Sequence, residues 1–82
     1  MMEQKQYFVG IDIGSTASKV VVLCDGAIAD AFVLPTGWNG RETAHQIYDL
    51  LTQKGYTENM RCTATGYGRV SVDYADKVIT EI

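Results

Sequence analysis

Residues 10–19 read Gly-Ile-Asp-Ile-Gly-Ser-Thr-Ala-Ser-Lys and join two short apolar runs. Tyr7, Phe8, Val9, Ile11 and Ile13 precede the break at Gly14, and Val20, Val21, Val22 and Leu23 follow it. Both runs are rich in β-branched and aromatic residues and are too short for helices, so the order reads strand, tight turn, strand. Asp25-Gly26 follows at once and is the strongest short-range hairpin signal. A third strand then covers 27–34, and Pro35-Thr36-Gly37 ends it. The chain therefore opens as an antiparallel meander over 7–13, 18–24 and 27–34. The first strand, almost continuously apolar, reads as a buried central strand.

Beyond the meander the period changes. Ala44, Ile47, Tyr48 and Leu51 fall at i, i+3, i+4 and i+7, which predicts a helix over 40–54 with one apolar face. Asn39 can cap it, with Glu42 three residues on as in a capping box, and Gly55 suits its C-terminal stop. A fourth strand is expected over 60–65, then a turn at Gly66-Tyr67-Gly68. Residues 71–74 are ambiguous. Asp73 or Asp76 can cap a second helix running through Ile82, where the sequence stops inside what reads as a regular element.

The turn at Gly14-Ser15-Thr16 has chemical content. Gly14 allows a ligand close to the backbone. Successive N–H groups there can form a concave anion site. Ser15 and Thr16 add donors, and Lys19 adds a positive charge. Gly, Ser and Thr also occur in ordinary turns for conformational reasons. Asp12 decides between the two readings. A carboxylate between Ile11 and Ile13 is unfavourable in a buried strand unless it has a partner or a function. It suits a hydrated magnesium ion, held through water, since magnesium keeps most of its waters.

Composition excludes several classes. A net charge of −3 with no basic run argues against nucleic acid as the main partner. No apolar run approaches the length of a membrane span. Residues 1–6 are polar and lack the apolar centre of a signal peptide, which makes the cytoplasm the expected location. The doubled Met1-Met2 reads as an expression artefact or a start-site ambiguity. Cys24 and Cys62 form no Cys-x-x-Cys pair and read as reduced, partly buried thiols. Asp73, Asp76 and Glu81 read as a solvated acidic face. His45 lies beside the apolar stripe with no triad partner. Trp38 sits in a loop and either anchors a partner or packs over the helix start.

The segment at 10–19 resembles the first phosphate-binding motif of the actin, sugar-kinase and heat-shock-chaperone superfamily of ATPases. Gly-Ser-Thr-Ala-Ser-Lys is closest to one branch, the ATP-dependent activators of 2-hydroxyacyl-CoA dehydratases and their benzoyl-CoA reductase relatives. A second stretch supports that branch: Ala-Thr-Gly-Tyr-Gly-Arg over 64–69, then Ala-Asp-Lys-Val-Ile-Thr-Glu-Ile over 75–82. The first motif marks the superfamily, and the pair marks the branch.

The resemblance implies a ribonuclease-H-like α/β fold, as in actin-like ATPases, with strand order 3-2-1-4 and the fourth strand parallel to the first. The chain would be the N-terminal part of one subdomain of a longer protein. The resemblance implies a nucleotide site that uses Asp12, Gly14, Ser15, Thr16, Lys19 and Arg69. Asp12 would serve magnesium, and Arg69 would reach a phosphate, a partner's carboxylate or the domain junction. In the intact family protein, ATP and magnesium bind between two subdomains. A homodimer shares one [4Fe–4S] cluster, whose ligands would lie outside these 82 residues. The partner would be a dehydratase or reductase component that receives one low-potential electron. By itself the chain would hold half an ATP site and turn nothing over. Three other readings stay open: a sugar or N-acetylhexosamine kinase, an actin-type assembly ATPase, and a bare module that folds without a site. One helix covers one face of a sheet, so an exposed apolar face and self-association are expected.

Overall fold

The computed structural model describes residues 5–79, which form one mixed sheet with one helix against it. β1 (Tyr7–Ile13), β2 (Ala17–Cys24) and β3 (Ala27–Pro35) make the antiparallel meander. At the β2–β3 turn Asp25 and Gly26 both take positive φ, 54° and 77°, as a hairpin turn that matches strand twist requires. Helix α1 (Gly40–Gln53) then carries the chain back across the sheet. β4 (Met60–Thr65) pairs parallel to β1, and the two-residue β5 (Lys77–Val78) pairs parallel to β4. The strand order is β3-β2-β1-β4-β5.

The helix starts where its capping residue stands. Asn39 is extended, and its side-chain oxygen accepts from the N–H of Arg41 at 2.9 Å. One face of α1, built from Thr43, Ala44, Ile47 and Leu51, is buried. It packs with Val9, Ile11 and Ile13 of β1, Val20 and Val22 of β2, and Cys62 and Ala64 of β4 into a single core. Tyr48, assigned to that face by spacing, is half-exposed and tilts against Tyr74 at 4.9 Å between ring centres. Tyr74 in turn donates its hydroxyl to the Ala44 carbonyl at 2.7 Å. At the other end of the helix, the Asp30 carboxylate accepts from Lys54 and from the Tyr56 hydroxyl, both at 3.1 Å. The Lys54 ammonium is the main reason that carboxyl lies below its ordinary range.

Two expectations are corrected. β1 is central in the sheet but buried on one face only among the described residues: Phe8 and Gly10 are exposed where Val9, Ile11 and Ile13 are covered. Asp12 belongs to the open side, so its carboxylate is half-buried rather than sunk in the core. The second correction concerns the helix expected after Asp73 or Asp76. Residues 69–71 form a single tight turn, and Lys77–Val78 is strand. The Asp76 carboxylate accepts from the backbone N–H of Cys62 at 2.7 Å, and the Asp76 N–H returns to the Cys62 carbonyl at 2.8 Å. That reciprocal pair satisfies the edge of β4, where a helix cap would have pointed the carboxylate at its own following amides. Residues 80–82, including Glu81 and the end of the expected helix, lie outside the described residues.

The face of the sheet away from α1 is open and carries an apolar patch. Phe8 is 52% exposed, Leu23 39% and Val21 37%, and they lie on neighbouring strands. Ile28 and Val33 extend the surface onto β3.

Candidate functional site

The two sequence segments singled out above meet at the carboxyl ends of the parallel pair β1 and β4. Open α/β sheets gather their ligands beyond that end. The Gly68 N–H donates to the Ile13 carbonyl at 2.9 Å, which ties the turn after β4 to the last residue of β1. Register aligns Asp12 with Lys19 on one side and Thr65 on the other. These three side chains form a polar row on the open face, at the mouth of a groove of about 420 Å³ that Gly10, Val21 and Ile79 also line. Lys19 is exposed and Asp12 half-buried. Among the described residues the Asp12 carboxylate has no hydrogen-bond or ion-pair partner.

The turn that follows is short and fixed. Gly14 donates its N–H to the Ala17 carbonyl at 3.1 Å, and Thr36 donates to the Thr16 carbonyl at 3.0 Å. Behind it the Ser18 and Thr36 hydroxyls share a hydrogen bond of 2.6 Å. Ser15 and Thr16 are exposed at the tip. Gly14 and Ser15 also rim a second cleft, about 340 Å³, on the helix side of the sheet edge, walled by Thr36, Trp38, Tyr67 and Ser71. Trp38 and Tyr67 are almost wholly exposed there.

The expected site residues thus divide. Asp12 and Lys19 stand on the open face, and Gly14, Ser15 and Thr16 form the turn at its edge. Arg69 stands apart from them, with its guanidinium donating to the Gly66 carbonyl at 3.0 Å within its own turn. Two residues join the site that sequence reasoning passed over. Thr65 is level with Asp12, and Gly66 touches the Asp12 carboxylate. Both lie inside the 64–69 string, and parallel pairing of the first and fourth strands was the signal that aligns them.

The residues fit a hydrated magnesium ion, which a carboxylate with no partner among the described residues can hold through its waters, while the hydroxyls and turn N–H groups are donors suited to an anion. It does not fit an iron–sulfur cluster. Cys62 is 1% exposed, and burial, with the Asp76 charge, pushes its thiol up to about 11. Cys24 lies at the far end of β2, away from the site.

No family model matches the sequence. Individual proteins do. The chain is 43% identical over 82 residues to the (R)-2-hydroxyglutaryl-CoA dehydratase activating ATPase of Acidaminococcus fermentans, and 40% over 81 residues to the activator of lactoyl-CoA dehydratase of Anaerotignum propionicum. The chain matches a segment of the hydroxyacyl-CoA dehydratase activators. In both cases 93% of this chain is aligned, but only 31% and 30% of the activator. The Escherichia coli (strain K12) protein named Uncharacterized protein YjiL is 42% identical over 76 residues, 29% of its length. The chain thus spans about 30% of the length of these relatives.

Solved structures agree with this similarity. Component A of the Acidaminococcus fermentans (R)-2-hydroxyglutaryl-CoA dehydratase superposes with a TM-score of 0.73 at 38% identity, covering 92% of this chain and 30% of that one. The activator of the 2-hydroxyisocaproyl-CoA dehydratase from Clostridium difficile, with bound ADPNP, gives 0.73 at 35%, covering 92% and 29%. An Aquifex aeolicus Ppx/GppA protein gives 0.57 at 16%, covering 94% and 36%, a likeness of fold alone. The fold is that of actin-like ATPases.

Proposed function

We propose that residues 1–82 are the N-terminal part of an actin-like ATPase subdomain and contribute the first phosphate-binding segment of an ATP-dependent dehydratase activator. The observation that carries this reading is the meeting of segments 10–19 and 64–69 around a carboxylate with no partner among the described residues. Ser15, Thr16 and the turn amides would hold phosphate oxygens, and Lys19 would balance their charge. Asp12 would orient magnesium through its waters, which spreads phosphoryl charge when the ion is bound. Arg69 would stiffen the second turn and reach the ligand or the domain junction from there. A related activator that binds ADPNP supports nucleotide as the ligand.

In the intact protein the partner would be a dehydratase or reductase component that receives one low-potential electron. A homodimer would share the [4Fe–4S] cluster through residues beyond this chain, and neither Cys24 nor Cys62 takes part. Nucleotide would bias a two-state hinge between subunits, as differential binding to two arrangements requires.

The test is anaerobic iron and acid-labile sulfide analysis of the intact protein, together with ATP hydrolysis by the Asp12→Ala variant. About four irons per dimer and loss of hydrolysis in the variant support the reading. Iron-free protein with robust sugar-kinase activity, or full hydrolysis without Asp12, overturns it.

A further inference from the structure

We infer that Gly66 is a positioning residue for Asp12: its missing side chain is what lets the turn after β4 close over the end of β1 and seat the carboxylate. This rests on the proposed role of Asp12 as the magnesium-facing acid. Gly66 has φ 92°, and a Cβ there would run into the Asp12 carboxylate oxygen Oδ1 and come within 2.6 Å of the Ile13 carbonyl oxygen. Real Cβ atoms do not occupy such positions, so any side chain at 66 moves the carboxylate, the turn or both. Gly66 is itself buried, and its carbonyl accepts from both the Arg69 N–H, at 3.2 Å, and the Arg69 guanidinium, at 3.0 Å. The Gly68 bond to Ile13 holds the turn from its other side. The wall behind Asp12 is therefore backbone, fixed at three points, with no room to retreat.

Backbone conformation alone does not account for this glycine. Gly26 and Gly55 also have positive φ, 77° and 83°, yet a Cβ at either meets nothing within 4 Å. An alanine at 26 or 55 imposes the same kind of backbone strain without touching the acid. They are the controls that separate strain from positioning. A carboxylate displaced by an ångström no longer presents the same oxygen to a hydrated ion, and such misplacement is costly in sites that work by geometry.

The experiment uses the intact protein and magnesium–ATP as the probe, followed by amide NMR titration. In the wild type the shifts should centre on residues 12–16 and 65–68. Gly66→Ala should weaken the apparent affinity at least about tenfold, and Asp12→Asn should do the same. Gly55→Ala should remain within about twofold of wild type despite its φ, because nothing stands near its Cβ. Wild-type affinity in Gly66→Ala overturns the positioning role while leaving the reading of Asp12 intact, provided Asp12→Asn still loses binding. No shifts in the wild type, or unchanged binding in Asp12→Asn, remove both. If Gly66→Ala does not fold, Asp12→Ala is introduced beside it. Recovery of folding in the double variant identifies the carboxylate as the obstacle, and no recovery counts against the inference.

Discussion

Gly68 donates its backbone N–H to the carbonyl oxygen of Ile13 at 2.9 Å, and this bond joins two turns that are far apart in sequence. It also brings Gly68 so close to Ile13 that a Cβ would sit 2.6 Å from Cγ2. Gly68→Pro removes the donor and adds bulk. We predict a loss of about 1–3 kcal/mol, the range for a partly buried carbonyl left without its partner, read from urea unfolding. An unchanged midpoint would mean that the two turns are held by something else.

Asp12 should separate stability from function. Its carboxylate has no partner among the described residues, so Asp12→Asn is expected to change unfolding free energy by no more than about 0.5 kcal/mol. In the intact protein the same change should lower ATP hydrolysis by roughly a hundredfold, the scale on which a misplaced metal or lost charge partner acts. Comparable losses in both measurements would make Asp12 a structural residue.

The open sheet face makes a different prediction. Phe8, Val21 and Leu23 form a patch that water covers and no element of the described residues does. The 82-residue chain should associate as concentration rises, and Val21→Lys or Leu23→Glu should reduce that association without unfolding the core behind them. Light scattering coupled to size exclusion measures it. A wild-type chain that stays monomeric at millimolar concentration defeats the prediction.

Alkali should destabilise the fold through Cys62. Burial raises its thiol from 9.0 to about 11, so between those values the unfolded chain releases a proton that the folded chain keeps. Stability from this group is complete below about pH 9 and is lost as pH rises through about 11. The full difference amounts to about 2–3 kcal/mol, and Tyr74, also pushed up chiefly by burial, acts in the same direction. Denaturant midpoints at pH 8 and pH 10.5 should fall accordingly, with a shallower fall in Cys62→Ala. Equal slopes in the two proteins would remove Cys62 as the cause.

Much of this architecture was legible because local signals and tertiary packing agree. The strands at 7–13 and 60–65 have the bounds expected from their apolar runs, and α1 ends one residue short of expectation. Where the reading failed, one local pattern served two structures. Asp76 looks like a helix cap, but its carboxylate is used by the Cys62 amide across the chain. Phe8 looks like core because its neighbours are core, yet alternation turns it to the open face. For the site, residue types at 12–16 are visible in sequence, whereas the contact of Gly66 with Asp12 exists only after β1 and β4 align.

That alignment has a kinetic consequence. The β1–β2 and β2–β3 pairings close over turns of a few residues, whereas β1–β4 pairing brings Tyr7 to Met60 across the whole helix. Loop-closure entropy favours the meander first and the parallel pair late. The turn at 14–16 is then shaped early, and its Gly66-Tyr67-Gly68 latch arrives with the last docking event. Substitutions in the latch should accelerate unfolding and leave the refolding rate nearly unchanged.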